Sequence, residues 1–484
     1  MKSINNPYEF YNKHPLNHLV MEENKYSKIN YEISSLILPH LKQIAKRLLF
    51  YEYIYLNDQN LFNQFKENKF FSFENEFSKS KISHFFFPKK NNKYFLHRSK
   101  FKIKMLKQTL HNYFQNQDTI DIFSTKLCFY KPNELALRSS NFNNFEQLNI
   151  ENFNNFENEF LKNDFEIFSD VEKIVSNLFE NYFRLEIFKN IIEKCIKDFV
   201  IHISFLHKFL NSNLRYPNNE NIIVGSESRI LSKLIRYKLI RKDYKIYSFE
   251  HGARSLLFKH DVNILNEHRL KYVSKYFLTG KGQYEIAQKY NGIQKKIELS
   301  KNIEPKIKNV ITRKFKNSNN KKILCVMSNT DFNIIFSRQP TGLLYFYHKN
   351  LFNDLLNFFQ KNNYYFKVKN HPDSIKTFID KKNSTNGTLL NLFDEFDILL
   401  FDHSTSTAFC EAINSNKKII LLNFKQNYFE DKFNEIIKKR CLIINVEIDF
   451  LGNIKIDENY LKDCIENDSS EFKNNYMQIR SFFS

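Results

Sequence analysis

Apolar residues in the first 215 positions recur every three or four residues, which is the spacing of one helix face. Residues 33–55 predict an amphipathic helix that begins near Pro39. Its predicted solvent side carries Lys42, Lys46 and Arg47. Residues 165–211 predict two more helices whose Phe-rich face is core. We therefore expect residues 1–215 to form a mainly helical region that binds an acceptor or a partner.

The pattern changes beyond residue 217, where short apolar runs alternate with helical segments. The predicted strands are 221–225, 245–250, 276–280, 323–327, 365–369, 398–401 and 418–423. The predicted helices are 229–241, 283–290, 350–360 and 407–414. This alternation is typical of α/β folds with parallel sheets. We expect two Rossmann-like units, residues 216–315 and 321–484, joined by a polar linker within 293–320, with a ligand cleft between them.

The positions of the glycines support this division. All eight lie at or beyond Gly225. Glycine supplies the positive-φ positions of tight connections, so the Gly-free first part is expected to consist of helices and long polar loops.

Charge and cysteine usage narrow the possible settings. Lys and Arg number 73 against 53 Asp and Glu, a net charge of +20. This balance favours a polyanionic partner such as nucleic acid, an acidic membrane face or a phosphorylated substrate, although the codon usage of an AT-rich genome also inflates Lys. The six cysteines form no C-x-x-C pair, and no apolar run is long enough to span a bilayer. We expect a cytoplasmic protein that at most lies on a membrane.

Several nucleotide and metal motifs are missing from the sequence. It contains no G-x-x-x-x-G-K-[ST], no G-x-G-x-x-G, no H-E-x-x-H and no D-x-D. These absences argue against P-loop hydrolysis, standard dinucleotide binding, zinc proteolysis and sugar transfer through Asp-bound metal. We therefore predict a site without metal or resident cofactor.

Polar residues follow two strands of the second predicted unit. Lys369-Asn370-His371-Pro372 follows one strand, and Pro372 disfavours helical backbone at His371. Asp402-His403-Ser404-Thr405-Ser406-Thr407 follows another strand and precedes a helix that carries Glu411. Hydroxyls at a helix start suit a diphosphate, and Glu411 suits ribose hydroxyls. An ordinary helix cap, a His-Pro loop without a role and a solvated glutamate are the alternatives.

A third polar group follows a strand of the first predicted unit, at Glu250-His251-Gly252-Ala253-Arg254. Gly252 permits a sharp exit that would turn His251 into the cleft. His251 would then be a candidate base opposite a phosphate site. A structural histidine at a strand end is the alternative.

The order of these motifs, H-G, then K-x-H-P, then D-x-S-T-S followed by E-A and K-K-I-I-L-L, resembles bacterial GT-B glycosyltransferases of capsular and surface polymers. CDP-glycerol glycerophosphotransferases, capsule Kdo transferases and bacterial polysialyltransferases are such families, and the resemblance covers residues 221–425. It implies a GT-B pair of domains. It also implies metal-independent transfer of a sugar or polyol phosphate from a CMP- or CDP-linked donor to a glycan or lipid-linked acceptor, in the cytoplasm or on the inner face of the plasma membrane.

The resemblance also implies roles for individual residues. His371, with Pro372, and the loop Ser404, Thr405 and Ser406 would hold the phosphates of a cytidine nucleotide. His251 matches the acceptor base of the glycerophosphotransferases, whereas sialyltransferase-like members use an acidic-acidic-Gly motif that makes Glu250 its competitor. Lys369 or Arg254 would add positive charge at the leaving phosphate.

Two other functions fit the charge of the chain. A nucleic-acid-binding protein would use the net charge and the interleaved aromatic residues, although no RNP, KH, zinc-finger or helix-turn-helix signature is present. A catalytically silent scaffold would place basic helices such as 229–245 against anionic lipid.

Overall fold

The computed structural model describes residues 14–60, 62–63, 120–121, 146–147, 169–211, 214–216, 218, 220–224, 230–250, 255–259, 261–300, 321–327, 341–370, 379–404, 406–424, 429–449, 453–467 and 475–483. The helices are α1 (Lys28–Asn57), α2 (Ser169–Phe179), α3 (Glu186–Asn211), α4 (Ile230–Ile240), α5 (Asp261–His268), α6 (Lys281–Ala287), α7 (Thr341–Lys361), α8 (Leu389–Leu392), α9 (Thr407–Ile413), α10 (Asp431–Arg440), α11 (Glu458–Glu466) and α12 (Tyr476–Phe483). The strands are β1 (Ile120–Asp121), β2 (Glu146–Gln147), β3 (Leu214–Arg215), β4 (Asn221–Val224), β5 (Lys245–Phe249), β6 (Lys275–Leu278), β7 (Ile297–Leu299), β8 (Lys322–Val326), β9 (Tyr365–Lys369), β10 (Ser384–Thr385), β11 (Ile398–Phe401), β12 (Lys418–Asn423), β13 (Leu442–Asn445), β14 (Glu447–Ile448) and β15 (Ile454–Lys455).

Helix α1 is the central helix of the N-terminal region and packs against α2, α3 and α4. The prediction that it begins near Pro39 is wrong, because Pro39 lies inside the helix. Burial of Ile33 and Ile37 before the proline outweighs its cost, which is about 3 kcal/mol in a helix interior. The predicted solvent side is also wrong at Lys42 and Arg47, since both side chains are buried among the neighbouring helices.

The first sheet is five-stranded in the order β2-β4-β5-β6-β7, and every neighbouring pair is parallel. Strand β7 lies in the stretch that the sequence analysis interpreted as linker, because three residues are too short to produce a clear apolar run. Strand β2 comes from the N-terminal region, so that region contributes an edge strand to the first sheet.

The second sheet is six-stranded in the order β10-β9-β8-β11-β12-β13 and is also parallel throughout. Strand β11 is apolar and buried at all four positions, as expected for the centre of a sheet covered on both faces. The predicted α/β class, two parallel sheets with helices preceded by a helical region, is confirmed.

The two sheets are connected through contacts near their carboxyl edges. The Glu430 N–H donates to the carbonyl of Leu257 over 2.9 Å, and the rings of Phe258 and Phe429 stack with centroids 5.2 Å apart. Leu257 and Phe258 follow β5, and Phe429 and Glu430 follow β12. The chain therefore reaches this contact from the carboxyl end of a strand in each sheet. The last helix, α12, also packs on α6 of the first sheet.

Several basic side chains lie inside the protein. Lys233 and Arg236 of α4 are buried, which contradicts a lipid-facing basic surface along this helix at those positions. Arg440 is fully buried at the end of α10. Its guanidinium donates to the carbonyls of Ile413, Ser415 and Lys417. The formal charge of the chain therefore overstates its surface charge.

Within the described part of the chain, no helix combines the length and apolarity that crossing a bilayer requires.

Candidate functional site

The order of the second sheet reverses direction between β8 and β11, since the chain proceeds from β8 to β9 on one side and continues with β11 on the other. Ligands of open parallel sheets bind in the crevice beyond the carboxyl ends of the strands at such a reversal. Val326 pairs with both Lys369 and Phe401, so the ends of β8, β9 and β11 are level. The residues that follow these ends form the candidate site.

Asp402 occupies the centre of this edge, directly after β11. Its Oδ1 lies 2.5 Å from His403 Nδ1, and its Oδ2 lies 2.8 Å from Nδ1 of His348, which belongs to α7. All three side chains are buried. Burial raises the pKa of the Asp402 carboxyl, but the two histidines outweigh it and hold the pKa below its usual value. Asp402 is therefore ionised.

Lys369 and Glu411 form a second buried polar pair at the same edge, from the end of β9 and from α9. Burial lowers the pKa of Lys369, and the nearby Glu411 carboxylate opposes that effect. Both were predicted as donor-binding residues, and both are buried at this edge. Glu411 is buried, so the alternative of a solvated glutamate is excluded.

The hydroxyl loop between β11 and α9 is described at two of its three predicted positions. Ser404 is buried directly after His403. Ser406 caps α9, and its Oγ accepts a hydrogen bond from the N–H of Phe409 over 3.1 Å. Ser406 thus performs the helix-cap role that the sequence analysis gave as the alternative, while its role toward a ligand stays a prediction.

Glu250 lies at the carboxyl end of β5 and is fully buried. Its carboxylate accepts hydrogen bonds from the Ser255 N–H, from the N–H and Oγ1 of Thr279, and from Nε2 of Gln283. Gln283 Nε2 also donates to the Ser255 carbonyl over 2.6 Å. Glu250 therefore attaches the chain after residue 254 to the end of β6, and its hydrogen bonding favours a positioning role over that of a base.

Five predicted site residues lie outside the described residues: His251, Arg254, His371, Pro372 and Thr405. Their assignments stay predictions. The described residues contain no cluster of three or more His, Cys, Asp or Glu side chains arranged to hold a metal ion.

The sequence analysis gave no role to His348 or His403. His403 stands inside a motif that was noted for its hydroxyls, so an Asp-His pair directly after a buried strand was an available signal. His348 lies on α7, more than fifty residues before Asp402 in the sequence, and only the fold brings the two side chains together.

Comparisons with known proteins yield only distant structural matches. No protein-family model and no curated protein matches the chain. The complex of Staphylococcus aureus MnaA with UDP is 12% identical over 55% of this chain and 71% of that chain, with a TM-score of 0.36. UDP-GlcNAc 2-epimerase of Methanocaldococcus jannaschii, in complex with UDP-GlcNAc and UDP, is 14% identical over 57% and 78%, with a TM-score of 0.33. With TM-scores below 0.5, neither match decides the ligand or the activity of this chain.

Proposed function

We propose that this protein is a transferase of GT-B type that moves a sugar or a polyol phosphate from a CMP- or CDP-linked donor to a hydroxyl of a surface glycan or lipid-linked acceptor. The donor phosphates bind at the carboxyl edge of the second sheet. The observation that carries the proposal is the set of buried polar side chains at the β8/β11 reversal, where Lys369 ends β9 and Asp402 and Ser404 come just after the level end of β11.

The first sheet supplies the acceptor side of the proposed reaction. Glu250 fixes Ser255, the first described residue after the segment that carries His251 and Arg254. The contact between Leu257 and Glu430 ties this segment to the second sheet. A base on the first unit and a phosphate site on the second would then face each other across the contact region.

The proposed chemistry is a direct displacement. His251 takes the proton of the acceptor hydroxyl while its oxygen bonds to the sugar carbon or to the phosphorus of the polyol phosphate. The bond from that atom to the donor phosphate oxygen breaks, and its electron pair leaves with the cytidine phosphate. Positive and hydrogen-bonding groups at the second sheet, Lys369 among them, stabilise that charge without a metal ion.

Thermal unfolding across a nucleotide panel tests this proposal. CMP, CDP, UDP, GDP and their sugar conjugates are compared with and without EDTA. A ligand at 100 times its Kd stabilises the folded state by about 2.7 kcal/mol, so we expect a cytidine nucleotide to raise the melting temperature most and EDTA to change nothing.

The location of that nucleotide is tested with variants. We expect His371→Ala and the double variant Ser404→Ala/Thr405→Ala to lose the stabilisation by CDP, whereas Ser481→Ala on α12 keeps it. Full retention by both site variants would remove the nucleotide from this edge, and an equal response to all nucleotides or to none would contradict a cytidine donor.

A further inference from the structure

A buried carboxylate between two imidazoles requires a definite placement of protons. Asp402 is ionised, and an ionised carboxylate can only accept hydrogen bonds. The Nδ1 atom of His403, at 2.5 Å, therefore donates to Asp402 Oδ1, and Nδ1 of His348 lies 2.8 Å from Oδ2 in an ion-pair contact. In the His403 ring, Nε2 is then the nitrogen that can meet a ligand. That Nε2 accepts a hydrogen bond when the ring is neutral and donates one when the ring is protonated.

The position of each ring in the fold distinguishes the two histidines. His348 lies in the body of α7, where its ring faces the end of β11 from the helix layer. His403 belongs to the connection that leaves β11 and continues into Ser404 and the cap of α9. Of the two rings, that of His403 lies on the segment which forms the proposed phosphate site.

The net charge of the buried groups around Asp402 bears on whether a phosphate can bind there. Asp402 is negative, and Lys369 and Glu411 offset each other. Burial raises the pKa of the Cys325 thiol on β8, and Asp402 raises it further, so the thiol stays neutral. Apart from the two imidazoles, these groups sum to one negative charge. Binding of a phosphate here is favoured when an imidazole next to Asp402 carries a proton, because a charged donor offsets that negative charge.

We propose that His403 is a direct ligand of the donor phosphate, held by Asp402 through Nδ1–H and donating from Nε2 to a phosphate oxygen after taking up a proton on binding. Asp402 is a positioning residue, and His348 keeps its carboxylate ionised. This inference rests on the proposed function and adds a ligand to the same site.

Calorimetric titration of the full chain with inorganic pyrophosphate and with CDP tests the inference. Titrations in two buffers of different ionisation enthalpy give the number of protons taken up on binding. We expect His403→Gln to weaken both ligands at least tenfold and to lower the proton count relative to wild type, because the ligand's own ionisation is common to both proteins. Asp402→Asn is expected to weaken both ligands several-fold.

A buried histidine away from the site provides the matched control. His202 on α3 is buried, and its Nδ1 contacts the Asp198 carbonyl over 2.6 Å. His202→Gln removes a comparable ring, and we expect wild-type affinity and proton count. If His403→Gln does not fold, ¹⁵N spectra of the 14 histidines in the wild-type protein decide instead. One imidazole Nε2 is then expected to change from unprotonated to protonated when pyrophosphate is added.

The outcomes separate this inference from the proposed function. If the protein binds CDP and His403→Gln binds it equally well with the same proton count, the inference is overturned and the transferase proposal stands. Binding of pyrophosphate through His403 without binding of any nucleotide supports the inference and overturns the cytidine donor. Failure to bind either ligand overturns both the inference and the proposed function. The lack of any Nε2 change in the spectra when pyrophosphate binds overturns the inference alone.

Discussion

Glu250 offers the sharpest test of how the proposed acceptor side is built. In Glu250→Ala, four hydrogen-bond donors lose their acceptor inside the protein. Each buried unsatisfied donor costs about 1–3 kcal/mol, so the loss of unfolding free energy is at least about 4 kcal/mol. Glu250→Gln keeps one carbonyl oxygen, and the Thr279 hydroxyl can rotate to accept from the new amide. We therefore expect Glu250→Gln to lose about 2 kcal/mol.

Urea unfolding and activity together separate positioning from catalysis. Glu250→Gln is expected to be less stable, to bind CDP normally and to transfer more slowly because Ser255, on the proposed acceptor side, is less well fixed. Glu298→Gln is the matched control, since Glu298 lies half-buried on β7 in an ion pair with Lys275. Its expected effect is within about 1 kcal/mol. Wild-type stability of Glu250→Gln, combined with a loss of transfer of about 100-fold or more, would refute this reasoning and identify Glu250 as the base.

Three further predictions address the fold. Arg440→Met should lower the unfolding free energy by about 3–5 kcal/mol, because three buried carbonyls lose their donor. The control Lys438→Met, at an exposed position, should be nearly neutral, and equal urea midpoints for the two variants would contradict this. Gly282→Ala should cost about 1–3 kcal/mol although alanine favours helices, because its Cβ would overlap the Phe482 ring, and Phe482→Leu should restore part of the loss in the double variant. Folding lowers the pKa of Asp402, so its contacts with the two histidines stabilise the folded state at pH values above the unfolded pKa of about 3.9. This stabilisation is lost as the pH falls from that value toward the lower pKa of the folded state. The urea midpoint of the wild type should therefore fall more steeply from pH 5 to pH 3 than that of Asp402→Asn, and parallel curves would contradict the assignment.

The sequence predicted the central strands well because a buried parallel strand is a short continuous apolar run. Strands β9, β11 and β12 have the predicted boundaries. Strand β7 was missed because a strand of three residues at a sheet edge has no such run. The burial of Lys42 and Arg47 on α1 depends on which helices surround α1. Helical periodicity identifies the apolar face of a helix, but it does not show whether another helix covers the polar face.

The candidate site was predictable to the extent that its residues share local motifs. Lys369 was recognised at the end of β9 and Glu411 in the helix that follows β11, and the fold buries both at the same edge of the sheet. The interaction of His348 with Asp402 joins residues that no local pattern links. The role of Glu250 also depends on partners from β6 and α6, which the sequence analysis placed near the site without assigning them contacts.

The central claim is that a cytidine nucleotide binds at the carboxyl edge of the second sheet. Hydrogen–deuterium exchange of the full chain with and without saturating CDP tests it most directly, because protection reports where the ligand binds. We expect slower exchange in peptides that cover residues 366–375 and 399–410, with α11 unchanged. Protection confined to other parts of the chain, or no change at saturating CDP, would contradict the account.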